Sequence, residues 1–174
     1  PGGTDWDHID LIGNMWYNQN EIPNNGIDDD NNGYVDDYTG WNTGSDNDNI
    51  ADGNHGTGVT GMIGAKGNNG IGVTGINWDI EVMQIDMQSG VTSAKVIEAY
   101  EYARVMREMW NNSDGTEGAF VVATNASWGI DGGNPANYQS WCEFYNVLGE
   151  AGILNCGATT NSPFNVDVVG DMPT

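Results

Sequence analysis

Apolar positions fall into two rows with helical spacing in the second half of the chain. Val96, Ala99, Tyr100, Ala103, Met106 and Trp110 recur at i, i+3, i+4 and i+7 steps, with Thr92 and Ser93 placed to cap the start. They predict a helix over 92–110. Trp141, Phe144, Tyr145 and Leu148 form a second row, predicting a helix over 137–149 that Gly149 ends. Between and around them lie strand patterns. Residues 80–87 alternate, while 119–127 and 153–158 are mostly apolar runs that predict buried strands. Residues 54–65 carry glycines at 56, 58, 61 and 64 with Val59, Met62 and Ile63 between them, the pattern of a tightly packed helix with His55 in its first turn. Residues 1–53 and 66–78 are rich in Gly, Asn and Asp and predict loop. Strand–helix–strand–helix–strand at these lengths predicts an α/β fold, a mostly parallel sheet flanked by helices in three layers. Functional groups then gather at the carboxyl ends of the strands. No repeat or linker interrupts the chain, so one domain over 1–174 is expected.

Charge narrows the function. Asp and Glu number 25 against 4 Lys and Arg, a formal charge of −21. Nucleic acid and anionic membrane surfaces are excluded as partners, since both need clustered cations. No apolar run approaches the roughly 20 residues that span a bilayer. The acidity fits an extracellular protein, or carboxylates clustered to bind a cation. The chain opens on Pro1-Gly2-Gly3-Thr4 with no targeting segment, which is expected to have been removed or not included. Cys142 in the second helix and Cys156 in the following strand are expected too far apart to bridge. Each is a free buried thiol or pairs with a cysteine elsewhere.

The cation reading has a specific location. In residues 26–37, Asp28, Asp30 and Asn32 alternate, Gly33 permits a sharp turn, the Tyr34 carbonyl follows, and Asp36 or Asp37 comes next. This is the oxygen order of an EF-hand loop at positions 1, 3, 5, 6, 7 and 9. It departs at position 12, where Thr39 stands instead of Glu, and no helix flanks it. Carboxylates so crowded repel without a cation, so calcium is expected within a loop over about 24–40.

His55 carries the candidate chemistry. A helix N-terminus favours neutral imidazole, the form a general base needs, and the glycines around it let another backbone approach. His55-Gly56-Thr57-Gly58-Val59 resembles the histidine motif of the subtilases, the subtilisin-like serine peptidases, and other segments continue the pattern in the same order. The resemblance implies a subtilisin-like fold and peptide-bond hydrolysis of a peptide or protein substrate. It makes His55 the base and Asn161, after the strand 153–158, the oxyanion-stabilising asparagine, with Asn155 inside that strand as the structural alternative. It makes Ser127-Trp128-Gly129 and, less specifically, Ser89-Gly90-Val91 the two edges that hold a substrate strand. Residues 67–73 resemble a loop that wraps a second calcium. Its ligands would be the carbonyls of Gly67, Ile71 and Val73, the Asn69 side chain and Asp10.

Two parts of the pattern are missing. His8-Ile9-Asp10-Leu11 resembles the end of the aspartate motif, and counting back places the catalytic aspartate at position 1, which is Pro1. The Gly-Thr-Ser-Met-Ala stretch that bears the nucleophile occurs nowhere in the chain. Ser127, at a strand end, is not its substitute. The expectation is therefore a partial catalytic domain over 1–174, without the aspartate-bearing strand and the serine motif. It would belong to a secreted, calcium-binding endopeptidase and work with the remainder of its own catalytic domain as a continuing or associated chain. The alternative is a non-catalytic, calcium-stabilised extracellular domain for structure or adhesion, built on the same fold.

Overall fold

A computed structural model describes residues 3–88 and 90–173. The chain divides into two compact units, Pro1–Val91 and Thr92–Thr174, where the sequence shows no boundary because no linker composition marks the junction.

In the first unit, strand β1 (Gly40–Asn42) pairs in parallel with β2 (Gln84–Asp86), Trp41 facing Ile85. β1 lies in a stretch expected to be loop. Three residues are too few to show a period, and it is the pairing with 84–86 that makes them a strand. The strand expected from the alternation over 80–87 is shorter than that pattern, although Val82 makes an isolated parallel bridge to Met15. Helix α1 (Asn54–Gly64) starts after Gly53 with no side-chain cap, so His55 is its second residue. A Cβ on Gly56 would come within 2.3 Å of the Gly3 carbonyl oxygen, so only glycine lets the segment before Asp5 lie on the helix here. The core of this unit gathers Leu11, Met15 and Ala65, with Trp6, Tyr17 and Val82 packed against them. Asn14, itself buried, donates to the Gly64 and Trp78 carbonyls and so ties the end of α1 to the N-terminal segment.

In the second unit, α2 (Ser93–Asn112) follows the expected row closely. The Thr92 hydroxyl accepts from the Lys95 amide as cap, and Val96, Tyr100, Ala103 and Met106 are buried. A short 3₁₀ turn (Pro135–Asn137) precedes α3 (Gln139–Glu150). Trp141 and Leu148 are fully buried, Phe144 and Tyr145 half-buried. Gly149 sits inside the helix. The left-handed residue after it is Gly152, at φ +77°. β3 (Ala123–Ala126) and β5 (Leu154–Gly157) pair in parallel, as expected, and β4 (Ile130–Asp131) adds an antiparallel pair with β6 (Asp171–Met172), after the one-turn helix α4 (Val166–Val169). The expected burial of β3 and β5 is not found: Val122, Leu154 and Cys156 are exposed. A parallel pair is buried only where both faces are covered, and the outer side of this one lies bare among the described residues. Both cysteines are free, Cys142 half-buried and Cys156 exposed rather than buried.

Candidate active site and cation loop

His55 stands exposed at the start of α1, with no side-chain hydrogen bond or ion pair among the described residues. Its surroundings are fixed by backbone. The Thr57 hydroxyl donates to the Gly53 carbonyl and accepts from the Asp5 amide, which ties the N-terminal segment to the first turn of the helix. Asp5 carries a raised pKa, first because its carboxyl shares a hydrogen bond with Asp7, then through desolvation. Pro1, at the position of the motif's aspartate, lies outside the described residues, as does Ser89. Gly90 is described: it is exposed, with φ +80°.

In the second unit, Asn161 is exposed and its side chain makes no hydrogen bond among the described residues. Its neighbours are anchored. The Thr160 amide donates to Asp171, the Ser162 amide to the Thr160 hydroxyl, and the Ser162 hydroxyl to Asp131. Asn155 differs, its side-chain oxygen accepting from the Thr124 hydroxyl across the β3–β5 pair at 2.7 Å. Asn155 is thus tied to the sheet through its oxygen, whereas the Asn161 side chain is tied to nothing among the described residues. Ser127 follows β3, its hydroxyl accepting from Asn125. Trp128 stacks on the buried Trp141, centroids 5.6 Å apart. A Cβ on Gly129 would meet the Met172 carbonyl oxygen at 2.6 Å. Outside the strand ladders, no backbone hydrogen bond of the described residues engages 127–129.

The acidic loop is closed by its own side chains. Asp28 accepts from the Asn32 and Gly33 amides, and Asp30 from the Asn32 amide and the Asn18 side chain. Asn32 accepts from the Tyr34 amide and donates to Asp37, which is buried and also accepts from Asn18. Asp36 turns the other way, its two oxygens accepting from the amides of Asn25 and Gly26. Sequence reasoning missed one member. Glu21, only 4% exposed, accepts from the Asp29 and Asp30 amides through Oε1. Oxygens of Glu21, Asp28 and Asp30 lie within 4.8 Å of one another, a grouping able to hold a metal ion. Burial raises the pKa of both Glu21 and Asp30, the mark of dehydrated carboxylates. Nothing local could have announced Glu21, which precedes the alternating stretch. A lone glutamate in a loop carries no pattern.

The loop at 67–73 is organised by Asp10. This buried carboxylate accepts from the Asn69 side chain and the Val73 amide, and these two bonds hold its pKa below the ordinary carboxylate value. Asn69 in turn accepts from the Ile71 amide. Gly72, at φ +49°, leaves room for the Asp10 carboxylate, which a Cβ there would meet at 2.2 Å.

The similarities of the chain bear on its family and fold. The Peptidase_S8 family, the subtilases, matches residues 2–170. Subtilisin-like protease 1 of Plasmodium falciparum (isolate 3D7) is 39% identical over 105 residues, 59% of this chain and 14% of that protein. The protein of the same name from Plasmodium vivax is 46% identical over 105 residues, 59% of this chain and 15% of its own length. The one from Plasmodium berghei (strain Anka) is 51% identical over 65 residues, 36% of this chain and 11% of its own length. The matched parts thus span only 11–15% of these relatives. Among solved structures, the S41 psychrophilic protease superposes with a TM-score of 0.58 at 18% identity, over 94% of this chain and 44% of that one, a likeness of fold. Its mixed helices and parallel strands are those of a subtilisin-like α/β fold, and the chain belongs to the subtilase family.

Proposed function

We propose that this subtilase-family peptidase domain is part of a secreted, calcium-binding serine endopeptidase that hydrolyses peptide or protein substrates. The observation that carries the proposal is His55 at the first turn of α1, inside a family match over residues 2–170. His55 takes the proton of the attacking serine, and Asn161 donates to the oxyanion. Segments 127–129 and around Gly90 offer backbone to an extended peptide. Calcium binds in the loop over about 24–40, with Asp28, Asp30, Asn32, the Tyr34 carbonyl and Asp37 or Asp36 as candidates. A second ion at Asp10, Asn69 and the carbonyls of Gly67, Ile71 and Val73 would have to recruit a carboxylate already held by N–H donors. The serine does not occur in these 174 residues. Chemistry then needs the rest of the catalytic domain, as a continuing or associated chain. Pro1 in the aspartate position favours the rival reading, a calcium-stabilised extracellular domain without catalysis.

A hydrolysis assay separates the two. The 174-residue chain alone is expected to cleave no peptide above buffer. Joined to a segment bearing Gly-Thr-Ser-Met-Ala, it is expected to gain activity only when Pro1→Asp restores the carboxylate. If the joined, Pro1→Asp protein folds and remains inactive, the non-catalytic reading stands.

A further inference from the structure

The acidic loop holds more carboxylates than one cation needs, and the structure divides them. Asp36 spends both oxygens on the amides of Asn25 and Gly26, closing the chain on itself at one end of the loop. Asp29 serves the Ile22 amide and the Asn25 side chain, both through Oδ2. Glu21 is different. Its Oε1 accepts from two loop amides, but its buried Oε2 makes no hydrogen bond. No lysine or arginine pairs with it among the described residues. A dehydrated carboxylate is tolerated when it is neutralised, paired with a cation or bound to a metal. Oxygens of Asp28 and Asp30 lie within 4.8 Å of a Glu21 oxygen. Two calcium–oxygen distances of about 2.3–2.6 Å, placed end to end, span about 4.6–5.2 Å, so any two of these oxygens are close enough to share one calcium ion, with the third near by.

We infer that Glu21, which lies outside the EF-hand-like loop, is a calcium ligand, and that Asp36, which occupies a ligand position of that loop, is a closing residue instead. This rests on the calcium reading above and changes which residues serve it. The cation would join the segment that ends at Glu21 to the loop at Asp28 and Asp30, so the site is made by two stretches of chain. Asn18, 1% exposed, supports this arrangement from the same segment by donating to both Asp30 and Asp37.

Calorimetric titration of the 174-residue chain with calcium chloride tests it. Glu21→Gln keeps an oxygen for the Asp29 and Asp30 amides and removes the charge. It is expected to weaken calcium at least tenfold, with the calcium-free circular dichroism spectrum unchanged. Glu21→Asp, which withdraws the carboxylate by one methylene, is expected to weaken it as well. Asp36→Asn is expected to stay within about threefold of the parent. An unchanged affinity in both Glu21 variants overturns the inference, and so does a tenfold loss in Asp36→Asn. Should the parent itself bind no calcium at millimolar concentration, the calcium reading falls, and this inference with it.

Discussion

At the scale of single residues, the two asparagines near β5 show how structure sorts candidates that sequence leaves open. Asn155 and Asn161 are six positions apart, and both offer an amide. Asn155 is tied by its oxygen to Thr124 across the strand pair, while Thr160 and Ser162 hold the backbone on either side of Asn161 and leave its side chain without a partner among the described residues. In a catalytically complete form, Asn161→Ala is expected to lower kcat by about 10²–10³ with little change in KM, the loss known for removal of such a donor in a subtilisin. Asn155→Ala should instead lower stability. Steady-state kinetics and urea unfolding of both variants check this. Asp10 gives a second prediction. Its pKa is lowered by the Asn69 and Val73 hydrogen bonds. The stability it contributes is thus full above the ordinary aspartate value of about 3.9 and lost as pH falls below it, through the lower folded value. The protection of the Val73 amide, its exchange rate relative to the intrinsic rate at each pH, should hold at pH 5 and fall only well below pH 4. In Asp10→Asn the protection should be low throughout.

At the scale of elements, what could be read in the sequence was whatever carried a period. The long rows of α2 and α3 appear within a few residues of their predicted ends, because Val96, Tyr100, Ala103 and Met106, and Trp141 and Leu148, each face one interior. β1 could not be read: Gly40-Trp41-Asn42 owes its extension to the partner strand at 84–86. Glu21 was hidden for a similar reason, being joined to the Asp28–Asp30 stretch by folding rather than by spacing. Leu148 tests the packing of α3. Leu148→Ala is expected to cost about 2–5 kcal/mol, and Val147→Ala, on the 39% exposed neighbour, under about 1 kcal/mol, both by urea denaturation. The loop makes its own prediction. Without a cation, Glu21, Asp28 and Asp30 repel one another, so chelation should loosen residues 24–40 and speed limited proteolysis there. An identical cleavage pattern with and without chelator would count against a calcium in the loop.

At the scale of the whole molecule, family membership and catalytic competence are separate matters. Residues 2–170 match the family, and the proposed reading takes His55 and Asn161 as candidates for its base and oxyanion donor. The nucleophile's motif does not occur in the sequence and Pro1 stands where the aspartate is expected. Members of a catalytic triad act as a unit. Loss of the serine alone costs about 10⁶ in turnover in a subtilisin, so the 174-residue chain is expected to show no measurable hydrolysis. The bare side of the β3–β5 pair, with Val122 and Leu154 exposed, belongs to this scale too: nothing in the local sequence distinguishes an apolar strand covered on both faces from one covered on a single face.

On the proposed reading, His55 is the base of a serine peptidase, and these 174 residues contain no Gly-Thr-Ser-Met-Ala stretch to supply its nucleophile. The most direct test is labelling by a serine-directed fluorophosphonate. The 174-residue chain should take up none. The chain joined to a Gly-Thr-Ser-Met-Ala segment and carrying Pro1→Asp should be labelled at that serine, and His55→Ala should abolish the labelling. Labelling of the 174-residue chain by itself would contradict the account, as would labelling of the joined protein that does not depend on His55.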